Sequence, residues 1–392
     1  MKENIIVPRL PFSSIRALMD AAAKMQEEGK SVIPLNVGRP DFDTPQNIVD
    51  AAKKALDEGK HHYCHNLGII ELRKAISKKY KERYDLDYNP ENEVIVTNGV
   101  TEGIYLAIKG LLNPGDQILI PDPAWLNYET VSIMEFVEAV KYSLTQENGF
   151  YPDMDEIRSK ITNRTKMLVF VNPSNPTGRV IPKSMIEELA DIAEEHDLII
   201  LSDEIYEDLV YAPAEMVCAA AVKKLRNRTV VLNGFSKSYS MTGWRLGYAV
   251  GPQELIFGML RIHQFSLTSV STFAQYGAVE ALEGPQDSLE NMFNAFNERK
   301  EYLYEKLSAI PELKCLKPEG AFYMMVNVKG LGMTGEEASA KLLNDYGVVT
   351  VPGESFGEQG AGFIRIAYAN SLENIKEAVA RIEKFVEEVK QG

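Results

Sequence analysis

Short, unbroken apolar runs alternate along the chain with longer stretches of helical spacing. Residues 93–97 (EVIVT) have the composition of a strand, and 101–112 repeat apolar positions at helical intervals. Residues 117–120, 166–171 (KMLVFV), 198–201 (LIIL) and 229–232 (TVVL) are further strand candidates, and 183–195 is predicted as a helix. These runs show little polar alternation, which suits strands covered on both faces, as in a parallel sheet between helix layers. Strand and helix in alternation predict an α/β domain. After about Gly284 the pattern changes. A long charged helix is predicted over 286–307, a strand at 322–328, a helix at 336–345, strands at 348–351 and 363–368, and a last helix at 372–389. This is the mixed pattern of a smaller α+β domain. The N-terminal segment carries one helix, 13–28, and one strand, 33–36, and has too few partners to fold alone. It is expected to pack on the C-terminal part. The predicted division is a large domain over 48–285 and a small domain built from 1–47, with an N-terminal arm, and 286–392.

A length of 392 residues fits two or three domains of roughly 100–200 residues each. The formal net charge of −14 repels phosphate backbones and anionic lipid heads, so neither a nucleic acid nor a membrane is expected as a partner. Lys78, Lys79 and Lys81 stand beside acidic residues on a helical stretch and read as a solvated face. Cys64, Cys218 and Cys315 are far apart and form no CxxC pair, which argues against a disulfide framework or a metal site and for a reducing compartment. The N-terminus lacks the apolar core of a signal peptide. No run approaches the ~18 apolar residues of a membrane span, and a cytoplasmic location is expected.

In open α/β sheets ligands collect at the carboxyl ends of the strands, so the residues after each run carry the chemical information. After 93–97 come Asn98, Gly99, Val100 and Thr101 at a helix start, either a capped helix or an anion site made of free N–H groups. After 166–171 comes Asn172-Pro173-Ser174-Asn175-Pro176-Thr177-Gly178, a rigid polar turn that is either a surface loop or a holder for a ligand-binding Asn. After 198–201 comes Asp203, either a helix cap or a buried carboxylate in need of a partner. Tyr206 would share its side if a helical turn begins there. After 229–232 comes GFSKSYSMTGWRLG, residues 234–247. Lys237 follows a buried strand among small hydroxyl residues, and Arg245 stands eight positions later. A desolvated lysine near cations has a lowered pKa and becomes nucleophilic, and an arginine fork suits phosphate.

Together these segments resemble the class I aminotransferases, among the fold-type I pyridoxal phosphate enzymes. Residues 234–247 match the family's Schiff-base lysine signature, Asn175-Pro176-Thr177-Gly178 its NPTG motif, and Asp203-Glu204-Ile205-Tyr206 its D-x-x-Y motif. Trp125 in Asp122-Pro123-Ala124-Trp125, Tyr63 with Gly68, and Arg365 in Phe363-Ile364-Arg365 look like three further family segments. The likeness runs from about residue 10 to the end. It implies an α/β fold with a mostly parallel, seven-stranded-type sheet between helices, plus the smaller α+β domain. It also implies transfer of an amino group from an L-amino acid to a 2-oxo acid, 2-oxoglutarate in the first instance.

Carried over residue by residue, the resemblance makes Lys237 the carrier of pyridoxal 5'-phosphate as a Schiff base and the proton shuttle. Asp203 pairs with the ring nitrogen, and Asn175 and Tyr206 bond the ring oxygen. Trp125 stacks on the ring and borders the substrate. Gly99, Val100, Thr101, Ser236 and Arg245 hold the phosphate, with Tyr63 reaching that of a neighbouring subunit, which implies a homodimer with shared sites. Arg365, Asn175 and the backbone at Gly38 hold the substrate α-carboxylate. Two positions depart from the family. Gly234 stands where many relatives have a phosphate-binding Ser. Leu267 stands where one aspartate-specific subgroup has Arg, which argues against dicarboxylate specificity by that route and favours an apolar or aromatic donor; aspartate, alanine, aromatic and branched donors all stay open. The same cofactor also serves carbon–sulfur β-lyases and related enzymes of this fold, the alternative function. A DNA-binding regulator is disfavoured by the acidic charge, and a nicotinamide enzyme by the absence of GxGxxG.

Overall fold

The computed structural model describes residues 4–12 and 14–391. Ser13, the first residue of the predicted helix 13–28, lies outside them; the described helix is Ser14–Glu27. A seven-stranded sheet forms the centre. Its spatial order is Val94–Thr97, Gly247–Val250, Thr229–Gly234, Ile199–Asp203, Thr165–Val171, Gln117–Asp122 and Glu138–Ser143. All neighbours pair in parallel except Gly247–Val250, which runs antiparallel to both of its partners.

The apolar runs form the inner strands because both faces are covered. On one face Ile95, Ile118 and Leu232 pack with Ile104 and Ile108 of helix Gly99–Leu111 and Ile256 and Met259 of helix Gln253–Ser266. On the other, Leu119, Leu168 and Ile200 pack with Ile186 and Leu189 of helix Lys183–Glu195. Each fully buried Leu or Ile contributes about 1.5–3 kcal/mol of transfer free energy, so this double burial fixes the sheet. The outer strand Glu138–Ser143 (EAVKYS) has one fully buried residue, Tyr142. An edge strand needs no continuous apolar run, and no such run announces this one.

A four-stranded antiparallel sheet, in the order Val351–Pro352, Phe363–Ala367, Tyr323–Asn327 and Lys314–Cys315, lies with helices Asp287–Ser308, Gly335–Tyr346 and Leu372–Gln391. The single strand expected at 348–351 is two. Val348–Val349 pairs in parallel with Ile33–Pro34, and Val351–Pro352 joins the four-stranded sheet. Thr350 marks the break, where its buried hydroxyl meets Ser339 at 2.9 Å. Lys79 does not belong to a solvated face: its ammonium pairs with Glu207, whose side chain is fully buried, while Lys78 and Lys81 are exposed. The three cysteines are free thiols. Among the described residues no helix is long and apolar enough to cross a membrane.

Candidate active site

The carboxyl ends of the central strands open onto a cavity of about 600 Å³. Asp203, Tyr206, Ser236, Lys237 and Arg245 line it from the strand ends, with Val100 and Thr101 at the start of helix Gly99–Leu111. Gly38, Trp125, Asn175 and Arg365 complete the expected set around it. Two expected residues do not line it. Gly99 stands behind the Arg245 guanidinium, and Tyr63 is exposed (88%) on the surface of this chain.

Asp203 ends its strand buried, and no cation among the described residues forms an ion pair with it. Its carboxylate accepts from the Tyr128 hydroxyl at 2.6 Å and from the Ile205 N–H at 3.2 Å. Burial raises its pKa, against the pull of those two bonds and of the Lys237 charge. The residues after it form turns rather than a helix, so Asp203 caps nothing. Asp203 and Tyr206 still reach the same cavity.

Lys237 donates from Nζ to the Gly38 carbonyl at 2.5 Å. Its amine lies 5.8 Å from the ring centre of Tyr206 and 5.9 Å from that of Phe322. Burial, then the Arg365 and Arg245 charges, lower its pKa to about 8, with Asp203 opposing. An amine with that pKa loses its proton far more readily than an ordinary lysine, whose value lies near 10.5, as a nucleophile or base must.

Arg365 is buried in strand Phe363–Ala367 and donates to Asn175 Oδ1 at 2.9 Å and to the Asn36 carbonyl at 2.7 Å. Its Nε has no hydrogen-bond partner among the described residues. The guanidinium lies over the rings of Tyr323, at 4.4 Å, and Phe356, at 4.7 Å. Tyr323 in turn shares a 2.8 Å hydroxyl contact with Tyr206. A side chain at position 38 would strike the Tyr323 hydroxyl, because a Cβ there would lie 2.2 Å from it.

The anion cradle is built from close backbone approach. Gly99 has φ +72°, and a Cβ there would lie 2.4 Å from Arg245 Nη2. Arg245 bonds the Thr242 and Asn98 carbonyls, at 3.1 and 3.4 Å. Asn98 precedes the helix without a side-chain cap, and Thr101 lies in its first turn rather than capping it. Gly234 has a packing reason. A Cβ there would sit 2.9 Å from both the Gly247 Cα and the Leu246 carbonyl oxygen, so a serine would force two paired strands apart.

Tyr128 and Tyr323 were not singled out in the sequence. Tyr128 stands three residues past Trp125, and Tyr323 in Gly320-Ala321-Phe322-Tyr323, but neither position has a spacing that reports its partner.

A parallel sheet with a depressed-pKa lysine, a buried aspartate and a buried arginine at its strand ends is the arrangement of a pyridoxal phosphate enzyme. The family model described as aminotransferase class I and II matches residues 30–382. An aspartate aminotransferase of Pyrococcus horikoshii is 42% identical over 377 residues, 96% of this chain and 95% of its own length. The aromatic-amino-acid aminotransferase 2 of Thermococcus litoralis is 37% identical over 380 residues, 96% of each chain. The solved aspartate aminotransferase from Thermus thermophilus with maleate has a TM-score of 0.94 at 36% identity, over 98% of this chain and 99% of that one. The chain belongs to the class I and II aminotransferase family. It is a transaminase dependent on pyridoxal phosphate, and the lyase alternative falls with that finding.

The residues present fit the cofactor. Asp203 is a buried carboxylate aimed at the cavity without an ion-pair partner among the described residues, as a protonated ring nitrogen requires. The absence of a side chain at Gly99 lets the Arg245 guanidinium pack close against the start of helix Gly99–Leu111, which sets a cation beside the N–H groups of a helix start, as a phosphate requires.

Proposed function

We propose that this enzyme moves the amino group of an L-amino acid to 2-oxoglutarate with the residues that surround Lys237. When bound, pyridoxal phosphate supplies a carbonyl carbon and a conjugated ring able to hold the electron pair released at the substrate α-carbon. Lys237 would hold the cofactor through its amine and would be the base placed to move a proton at the substrate α-carbon. Asp203 would pair with a protonated ring nitrogen, and the bond from Tyr128 favours its ionised form. Tyr206 and Asn175 donate to the ring oxygen, and Trp125 covers the ring face. Gly99, Val100, Thr101, Ser236 and Arg245 hold the phosphate. Arg365 binds the α-carboxylate as a bidentate fork, assisted by Asn175 and by the backbone at Gly38. The observation that carries this assignment is the buried Lys237 amine, its pKa lowered to about 8, lining one cavity with Asp203 and Arg365.

The working unit in this proposal is a homodimer. Tyr63 is exposed here and would reach the neighbour's phosphate, and its loop is tied to helix Thr272–Glu283 by a bond from the Thr272 hydroxyl to the His62 carbonyl, at 2.6 Å. Phe265, 87% exposed, and Leu267, 38% exposed, offer apolar surface in the preceding segment. The large domain covers 48–285, and the small one 1–47 with 286–392. The paired Ile33 and Val348 support assigning the N-terminal part to the small domain. Free thiols support a cytoplasmic enzyme.

The test is to incubate the enzyme with 2-oxoglutarate and, in turn, aspartate, alanine, phenylalanine and leucine. Glutamate formation with at least one donor is expected. Glutamate with none of them, or pyruvate and ammonia without a new amino acid, would contradict the proposal.

A further inference from the structure

The cavity is strongly cationic in a chain of net charge −14. Arg16, Arg39, Lys237, Arg245 and Arg365 line it, against one carboxylate among the described lining residues, Asp203. Lys237 and Asp203 serve the cofactor ring, Arg245 the phosphate and Arg365 the α-carboxylate. That leaves cationic charge in excess of the two anionic groups assigned so far.

Arg39 is the least committed of these cations. It is exposed, lines the cavity, and makes no hydrogen bond or ion pair with any described residue. The acid two positions on, Asp41, is held by Arg299 at 2.6 Å and does not neutralise it. The backbone places it beside the chemistry. The Asn36 carbonyl bonds Arg365 at 2.7 Å and the Gly38 carbonyl bonds Lys237 at 2.5 Å, so one short segment passes the carboxylate clamp, then the reacting amine, and then presents Arg39. Leu267, the position that suggested an apolar donor, does not line the cavity of its own chain.

We propose that Arg39 binds the distal carboxylate of a dicarboxylic substrate. This role rests on Lys237 and Arg365 acting as proposed above. A substrate held at its α-carboxylate by Arg365 and at its α-carbon beside Lys237 turns its far end towards one of the remaining cations. A guanidinium there forms charge-assisted bonds with a second carboxylate and none with an alkyl chain. The enzyme then favours four- and five-carbon dicarboxylic amino and oxo acids over monocarboxylic ones.

The test uses holoenzyme and three acids that cannot react: succinate, n-butyrate and 3-phenylpropionate, with Kd measured by calorimetry. Arg39→Gln should weaken succinate roughly 10- to 100-fold and leave n-butyrate within about twofold of wild type. Arg39→Lys, which keeps the charge, should recover part of the loss. An unchanged succinate Kd overturns the proposal. So does equal weakening of n-butyrate, which would mean a general effect on the site. So does a larger loss for 3-phenylpropionate, which would mean that Arg39 stacks on aromatic donors. Wild-type holoenzyme that forms glutamate while Arg39→Gln leaves succinate binding intact would remove this role alone. Failure of wild type to form glutamate would remove the parent proposal.

Discussion

Residues 203–208 feed two clusters of charge. Asp203 faces the cavity with Lys237 and Arg365, while Glu207 and Asp208 face Lys79 and Arg83. The second cluster is closed on itself. Glu207 pairs with Lys79 and accepts from Tyr84 at 2.7 Å and from Asn233 at 2.6 Å, and Asp208 pairs with Arg83. The first is left open: among the described residues Asp203 has no ion pair and Arg365 Nε has no hydrogen-bond partner. Two lysines register the difference. Burial works to lower the pKa of Lys79, but Glu207, Tyr248 and Asp208 outweigh it and raise the value well above that of an ordinary lysine. Burial works the same way on Lys237, and there the Arg365 and Arg245 charges add to it and outweigh Asp203, so the pKa falls to about 8. Burial alone does not make a lysine reactive; the sign of its neighbours does.

The contrast can be broken from the closed side first. Glu207→Ala strands the largely buried Lys79 ammonium and two donors, at a cost of about 3–5 kcal/mol. A marked fall in thermal midpoint is expected, with the cofactor's visible spectrum unchanged in the protein that stays folded. An unchanged midpoint would mean that the network is not closed in solution.

A smaller effect is expected on the open side. Tyr128→Phe removes the 2.6 Å bond to Asp203, and that bond lowers the Asp203 pKa. Loss of a hydrogen bond to a charged group costs about 1.5–3 kcal/mol. The expected result is a fall in kcat/KM of roughly 10- to 150-fold, faster cofactor loss and little change in thermal midpoint. A variant with wild-type kcat/KM would show that Asp203 holds its charge without Tyr128.

Much of this was legible in the sequence wherever a local pattern carries the information. The inner strands are apolar because two helix layers cover them; Asp203 ends such a strand, Asn175 and Lys237 stand a few residues past two others, and Arg245 stands eight positions beyond Lys237. Arg365 lies within a strand of the smaller sheet and was marked by the family likeness, not by a strand end. What stayed hidden depends on distant pairing. Tyr128 meets Asp203 across 75 residues, and Tyr323 meets Tyr206 across 117. Neither tyrosine carries a local motif of the kind that marks Tyr206 and Tyr63. The edge strand Glu138–Ser143 carries polar residues because one side of it is uncovered. Gly234 looked like a lost phosphate ligand until Gly247 was seen pressed against it. Lys79 looked solvated because the partner that buries it, Glu207, is 128 positions away.

The central claim is that Lys237 carries the cofactor. Borohydride treatment of the holoenzyme, followed by digestion and mass spectrometry, tests it most directly. The modified cofactor is expected on Lys237, and Lys237→Ala should lose both the reducible visible band and turnover, the latter by roughly 10²–10⁴-fold. A reducible band that survives in Lys237→Ala, or a label found on another lysine of the wild type, would contradict the account.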